Sequence, residues 1–176
     1  MLIYEALKKD HDKLKVLLND LVGAADASEE TRNDLIQQIR DELIPHARAE
    51  EAVFYNPLKE IDGTQSIVMH GYAEHMEAET ILRTLQAMNA VNVEWTALAK
   101  KLKDGIEHHI AEEENEIFAA AQQVLAVEEA ELMAEAFEQL KPEIRKGSFM
   151  QNTLDLIANL MPERLAAPIR SFNLKV

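Results

Sequence analysis

The sequence predicts an all-α protein, an up-down-up-down four-helix bundle with additional C-terminal helices. Three observations predict it. Glycine and proline number only five each in 176 residues, so long stretches run without a breaker. Apolar residues recur at three- and four-residue intervals, the period of a helix and not the alternation of a half-buried strand. Four such stretches follow one another with short connections, as in an antiparallel bundle.

The first helix is expected over about residues 2–23, where Leu7, Leu14, Leu17, Leu18 and Leu21 form one stripe and Gly23 closes the end. A loop through Asp26 and Ala27 follows. Ser28 then caps a second helix with Leu35, Ile36, Ile39, Leu43, Val53 and Phe54 on its inner face. This helix should end near Asn56-Pro57, and Pro45 should kink or break it beside His46, because proline removes one hydrogen bond and clashes with the preceding turn. The turn Asp62-Gly63-Thr64 opens a third helix to about Asn89, and Asn92 or its neighbours open a fourth to about Val124. Leu132, Met133, Phe137 and Leu140 mark a fifth helix stopping at Pro142; a sixth runs from Ser148 to about Met161, before a proline-containing tail. Residues 1–125 are thus assigned to the bundle and 126–176 to a C-terminal helical extension packing on it.

Composition narrows the chemistry. Apolar residues at 47% and charged residues at 28% describe a soluble globular chain with a core. The net charge of −14 repels phosphate backbones and anionic membrane surfaces, so neither nucleic acid nor membrane is an expected partner. No cysteine is present, which removes disulfides, thiolate catalysis and sulfur-ligated metals together. The N-terminus becomes charged too early for a signal peptide, and no apolar run is long enough to span a bilayer, so a cytoplasmic location is expected.

Two stretches, HARAEEAVFY from His46 and HIAEEENEIF from His109, share the template His-x-x-x-Glu-Glu-x-x-apolar-Phe. Residues four apart on a helix point the same way, about 6 Å apart, so His46/Glu50 and His109/Glu113 are each a two-armed chelate. In antiparallel hairpins, residues equidistant from a loop lie at one height. The midpoint of His11 and His46 falls beside the Asp26 to Ser28 loop, that of His46 and His75 within the Asn56 to Gly63 connection, and that of His75 and His109 at Asn92. All four helices therefore bring one histidine to one level. Four imidazoles and two carboxylates buried at that level need a counterpart, and a pair of metal ions with nitrogen and oxygen ligands supplies it.

The pattern His11, His46-x-x-x-Glu50, His75, His109-x-x-x-Glu113 resembles the hemerythrin-like, HHE cation-binding family over about residues 4–120. The resemblance implies a non-haem, oxo- or hydroxo-bridged di-iron centre, with manganese or zinc as other metals, held by His11, His46, Glu50, His75, His109 and Glu113. It also implies a small diatomic or peroxide ligand. Two departures separate the chain from oxygen carriers of that family: Gly71 stands four before His75 where they have histidine, and Glu113 follows His109 by four where they have aspartate five on. The lack of cysteine also argues against a cysteine-bearing iron-repair module fused to such a domain. Peroxide disproportionation is the first functional expectation. The alternatives are binding or sensing of O2, nitric oxide or iron without turnover, and a structural metal clip.

Other residues have lesser expectations. His70 points about 140° away from His75 on a regular helix and joins the site only if a π-bulge intervenes. His108 should face solvent beside Glu112. Glu51 and Glu114, each following a ligand glutamate, are candidates to accept hydrogen bonds behind the ligands or simply to face water. Tyr55 is near enough to act as a hydrogen donor at the site's edge. Met69, Met76 and Met88 are expected to fill the core, and Trp95 to pack near the start of the fourth helix.

Overall fold

The computed structural model describes residues 1–88, 93–147, 157–159 and 161–170. Helix α1 spans Ile3–Gly23, α2 Glu29–Glu50, α3 Asn56–Lys59, α4 Gln65–Ala87, α5 Val93–Glu112, α6 Phe118–Val124, α7 Val127–Arg145 and α8 Glu163–Arg170. A π-helical turn, Glu51–Tyr55, joins α2 to α3 without a break, and a second, Glu113–Ile117, joins α5 to α6. The bundle thus consists of α1, the α2–α3 rod, α4 and the α5–α6 rod. Helix α7 lies against α1 and α2.

Local chemistry accounts for most boundaries. Ser28 Oγ accepts from the Thr31 N–H at 3.2 Å and starts α2. Gly63, at φ +91°, turns the chain into α4 in a conformation that a side chain would oppose. Three prolines do not end their helices. Helix α2 passes Pro45 unbroken: the carbonyl left without its donor belongs to Asp41, and Arg145 Nε of α7 donates to it at 3.0 Å. The rod also continues beyond Pro57 to Lys59, with Pro57 directly after the π turn. Helix α7 likewise runs past Pro142 to Arg145, since the lost bond falls within its last turn. The expected sixth helix lies mostly outside the described residues, while the tail forms α8 around Pro168. The end of the third helix at Asn89 and the opening at Asn92 also fall outside them.

Two apolar cores lie along the bundle axis. The first gathers Tyr4, Leu7, Phe54, Phe118 and Val68 with Met133, Phe137 and Leu140 of α7 and Leu165 of α8. The second contains Leu14, Leu18, Leu21, Ile39, Leu43, Leu82, Leu102 and Ile110, with Trp95 buried near the start of α5. Met88 packs on this second core, but Met69 and Met76 are exposed on α4, seven residues apart and about 100° round the helix from Val68 and His75. Along every bundle helix the sequence passes from one core to the other through a histidine: Leu7, His11, Leu14; Leu43, His46, Ala49; Val68, His75, Leu82; Ile106, His109, Ile117. The histidines therefore form a polar layer between two apolar ones. No described helix is long and apolar enough to cross a membrane.

Candidate metal centre

The structure brings His11, His46, Glu50, His75, His109 and Glu113 together, each at most 6% exposed. Glu50 Oε2 lies 3.6 Å from His46 Nε2 and 3.3 Å from His75 Nε2. Glu113 Oε2 lies 3.1 Å from His11 Nε2 and 3.9 Å from His109 Nε2. Each glutamate thus spans from the α1–α2 pair of histidines to the α4–α5 pair. Both π turns belong to this geometry. They begin at the repeated Glu-Glu element, one immediately after Glu50 and the other at Glu113 itself, where the helices widen.

The four imidazoles are held from behind by a closed ring of carboxylates. Asp10 of α1 takes His46 Nδ1 at 3.3 Å; Glu51 of the first π turn takes His75 Nδ1 at 3.1 Å. Glu74 of α4 takes His109 Nδ1 at 2.9 Å; Glu114 of the second π turn takes His11 Nδ1 at 3.0 Å. Each helix therefore orients the histidine of the next around the bundle. Donation of Nδ1–H outward would leave each Nε2 free toward the centre, the tautomer a metal requires. The roles of Glu51 and Glu114 agree with the sequence expectation. Those of Asp10 and Glu74 were missed, although a signal existed: each of the four acceptors is the chain neighbour of a residue in the candidate set.

The interior of the site is under-satisfied. Among the described residues, His11 Nε2 and all four oxygens of Glu50 and Glu113 are buried without a hydrogen-bond partner, and His75 Nε2 meets His109 Nε2 at 3.1 Å. Burial, reinforced by the neighbouring Glu113 carboxylate, pushes the Glu50 carboxyl well above its usual range. Burial opposes ionisation of Glu113 as well, but its interactions with Glu50 and His11 outweigh this and hold it low. Burial holds the His46 imidazole at about 4 against the pull of Asp10, and lowers His75 too. His11 is raised because Glu113 and Glu114 outweigh its burial. Cations between these nitrogens and oxygens would satisfy every bare atom at once, so the donor set fits metal ions of mixed nitrogen and oxygen preference.

Tyr55 and Gly71 explain one departure from oxygen carriers. The Tyr55 ring is fully buried and stacks on His75, centroids 5.5 Å apart and planes within 8°. A Cβ on Gly71 would lie 2.7 Å from the Tyr55 hydroxyl oxygen. Tyrosine thus occupies the space a side chain at position 71 would need. Among the described residues its hydroxyl has no partner, and burial together with Glu113 and Glu50 raises its pKa well above the usual range, so it stays protonated. The Gly71→Ala variant is expected to lose about 1–3 kcal/mol, because the overpacked ring cannot swing away from His75. Chemical denaturation would measure this; a stability gain, as ordinary helix propensity favours, would contradict the packing.

On the other side, α7 closes the layer. Lys141 Nζ bonds both Asp10 oxygens, at 3.0 and 2.8 Å, and the Phe137 ring meets His46 edge-on at 5.6 Å. His70 and His108 lie outside the layer, with side chains 59% and 63% exposed. No π turn falls at Gly71 to rotate His70 inward.

A family model described as the hemerythrin HHE cation binding domain matches residues 2–121. The chain is similar to a DNA nickase of Nostoc sp., 28% identical over 149 residues that cover 83% of this chain and 41% of the nickase. It is also similar to an uncharacterised hemerythrin-like protein of Schizosaccharomyces pombe, 29% identical over 141 residues that cover 79% of this chain and 68% of that protein. The chain therefore spans about two-fifths of the nickase's length.

Proposed function

This chain belongs to the hemerythrin HHE cation-binding family, and on that premise we propose that it is a non-haem di-iron protein that binds and turns over a small oxidant, hydrogen peroxide first. His11, His46, His75 and His109 would supply the nitrogens, and Glu50 and Glu113 the oxygens that span the two halves. A bound iron pair would supply redox chemistry toward O2, peroxide or nitric oxide. The observation that carries the reading is the ring of four carboxylate-backed imidazoles aimed at two otherwise bare glutamates.

The chain's own residues limit what can react. A cavity of about 20 Å³ adjoins His11, His46, His75 and His109 and is walled by Leu14, Leu43, Ala78, Ile106 and Ile110. That is room for about one water-sized molecule, which favours a diatomic or peroxide over any organic substrate. Glu74, Ala78 and Gly105 line both this cavity and an outer groove between α4 and α5, so the small side chains there offer a route in. Tyr55 is not among the residues that line this cavity; its ring stacks on His75 and holds that imidazole in place. A nucleic-acid backbone is a poor substrate for this chain, because phosphate would meet a net charge of −14.

Oxygen release from peroxide by the iron-loaded protein tests the reading. Catalytic release is expected. A reversible spectral change with O2 or nitric oxide and no release would instead support carriage or sensing. Full occupancy by zinc in protein from its native source would support a structural clip.

A further inference from the structure

We propose that His70, Glu74, His108 and Glu112 form a second divalent-cation site, on the outside of the bundle and joined to the inner layer through Glu74. The four residues are two His-x-x-x-Glu pairs, His70/Glu74 on α4 and His108/Glu112 on the antiparallel α5. Each pair presents one nitrogen and one oxygen on the same helix face. Within each helix, His70 Nε2 is 3.7 Å from Glu74 and His108 Nε2 is 3.1 Å from Glu112; across the two helices, His70 Nε2 is 3.2 Å from Glu112 and His108 Nε2 is 3.9 Å from Glu74. One ligand atom from each of the four residues lies within 4.8 Å of all the others. Bonds of about 2.0–2.1 Å in a tetrahedron put neighbouring ligands about 3.3 Å apart, so the separations already bracket those of a four-coordinate ion.

The ring of outer carboxylates gives independent support. Asp10, Glu51 and Glu114 are each backed by a protein cation: Lys141 on Asp10, Arg48 on Glu51 at 3.0 Å and Lys8 on Glu114 at 3.2 Å. Among the described residues, no lysine or arginine pairs with Glu74. Its Oε2 accepts from His109, while its Oε1 faces His70 and His108. The two carboxylates at that place match the charge of one divalent ion, which would stand where the other three carboxylates have a lysine or arginine. Because the histidines are more than half exposed, this ion would exchange readily with solution, unlike one in the buried layer. The chemistry of two imidazoles and two carboxylates suits a first-row cation such as zinc or ferrous iron rather than calcium or magnesium.

The test is a calorimetric zinc titration of tag-free protein whose inner centre has been loaded with iron and whose exchangeable ions have been removed by chelator. The native chain should take up about one further zinc ion, and the surface double variant His70→Ala/His108→Ala should lose that uptake or weaken it at least about 10-fold while keeping its iron. Equal zinc uptake by the two proteins, or none by the native chain, overturns the proposal. The inner centre is read separately by iron content: a chain that holds no iron yet shows the zinc difference still supports the outer site.

Discussion

Stripped of its cations, the bundle is expected to melt about 10 °C or more below the metal-loaded form. Without metal, Glu50, Glu113 and the inward imidazole nitrogens face one another in a layer closed above and below by apolar cores. Binding to the folded state alone contributes about 4 kcal/mol per ion when free cation exceeds its Kd a thousandfold. In a chain of this size each kcal/mol moves Tm by about 2–4 °C. The effect has a pH sign. In metal-free protein, Glu50 and His11 hold protons more tightly than their ordinary values of 4.5 and 6.5, and a metal must displace those protons. The gap between loaded and stripped protein should therefore widen as pH rises through the raised values and narrow toward acid. Scanning calorimetry of both forms across this range checks it; coincident melting would remove the linkage between metal and fold.

His75→Ala should lose at least about half of the tightly held iron and most peroxide turnover, whereas His70→Ala should leave both within about twofold. His75 is 6% exposed, lies 3.3 Å from Glu50 and is oriented by Glu51. His70 is on the surface, facing Glu112. Iron is counted after chelator has removed exchangeable ions, and each value is normalised to folded helix content. The His75→Gln variant keeps most of the side-chain volume against Tyr55 and so separates lost ligation from lost packing. Damage by His70→Ala with a silent His75→Ala would require the α4 contribution to be rebuilt around His70.

What could be read in the sequence was whatever depends on helical period and loop position. The level shared by His11, His46, His75 and His109 follows from counting residues to each turn, and the stripe of Leu7, Leu14, Leu18 and Leu21 follows from the 3.6-residue repeat. Properties that arise only when helices meet were not readable in this way. The pairing of Asp10 with His46 and of Glu74 with His109 crosses between helices, so no spacing within one helix encodes it. The same holds for Tyr55 filling the space beside Gly71 and for Arg145 relieving the carbonyl opposite Pro45. Local rules for proline predicted a kink or break beside His46; the helix is unbroken there, and a distant side chain donates to the freed carbonyl. Met69 and Met76 were misplaced because hydrophobicity alone does not choose a face; position relative to His75 does.

Iron bound per chain, measured on protein loaded anaerobically and then freed of exchangeable cations by chelator, tests the central claim most directly. Six buried nitrogen and oxygen ligands in two bridged halves predict about two ions per chain, with near-ultraviolet charge-transfer absorption from the ferric form. Less than about one tightly held ion per folded chain would contradict a di-iron centre in this layer.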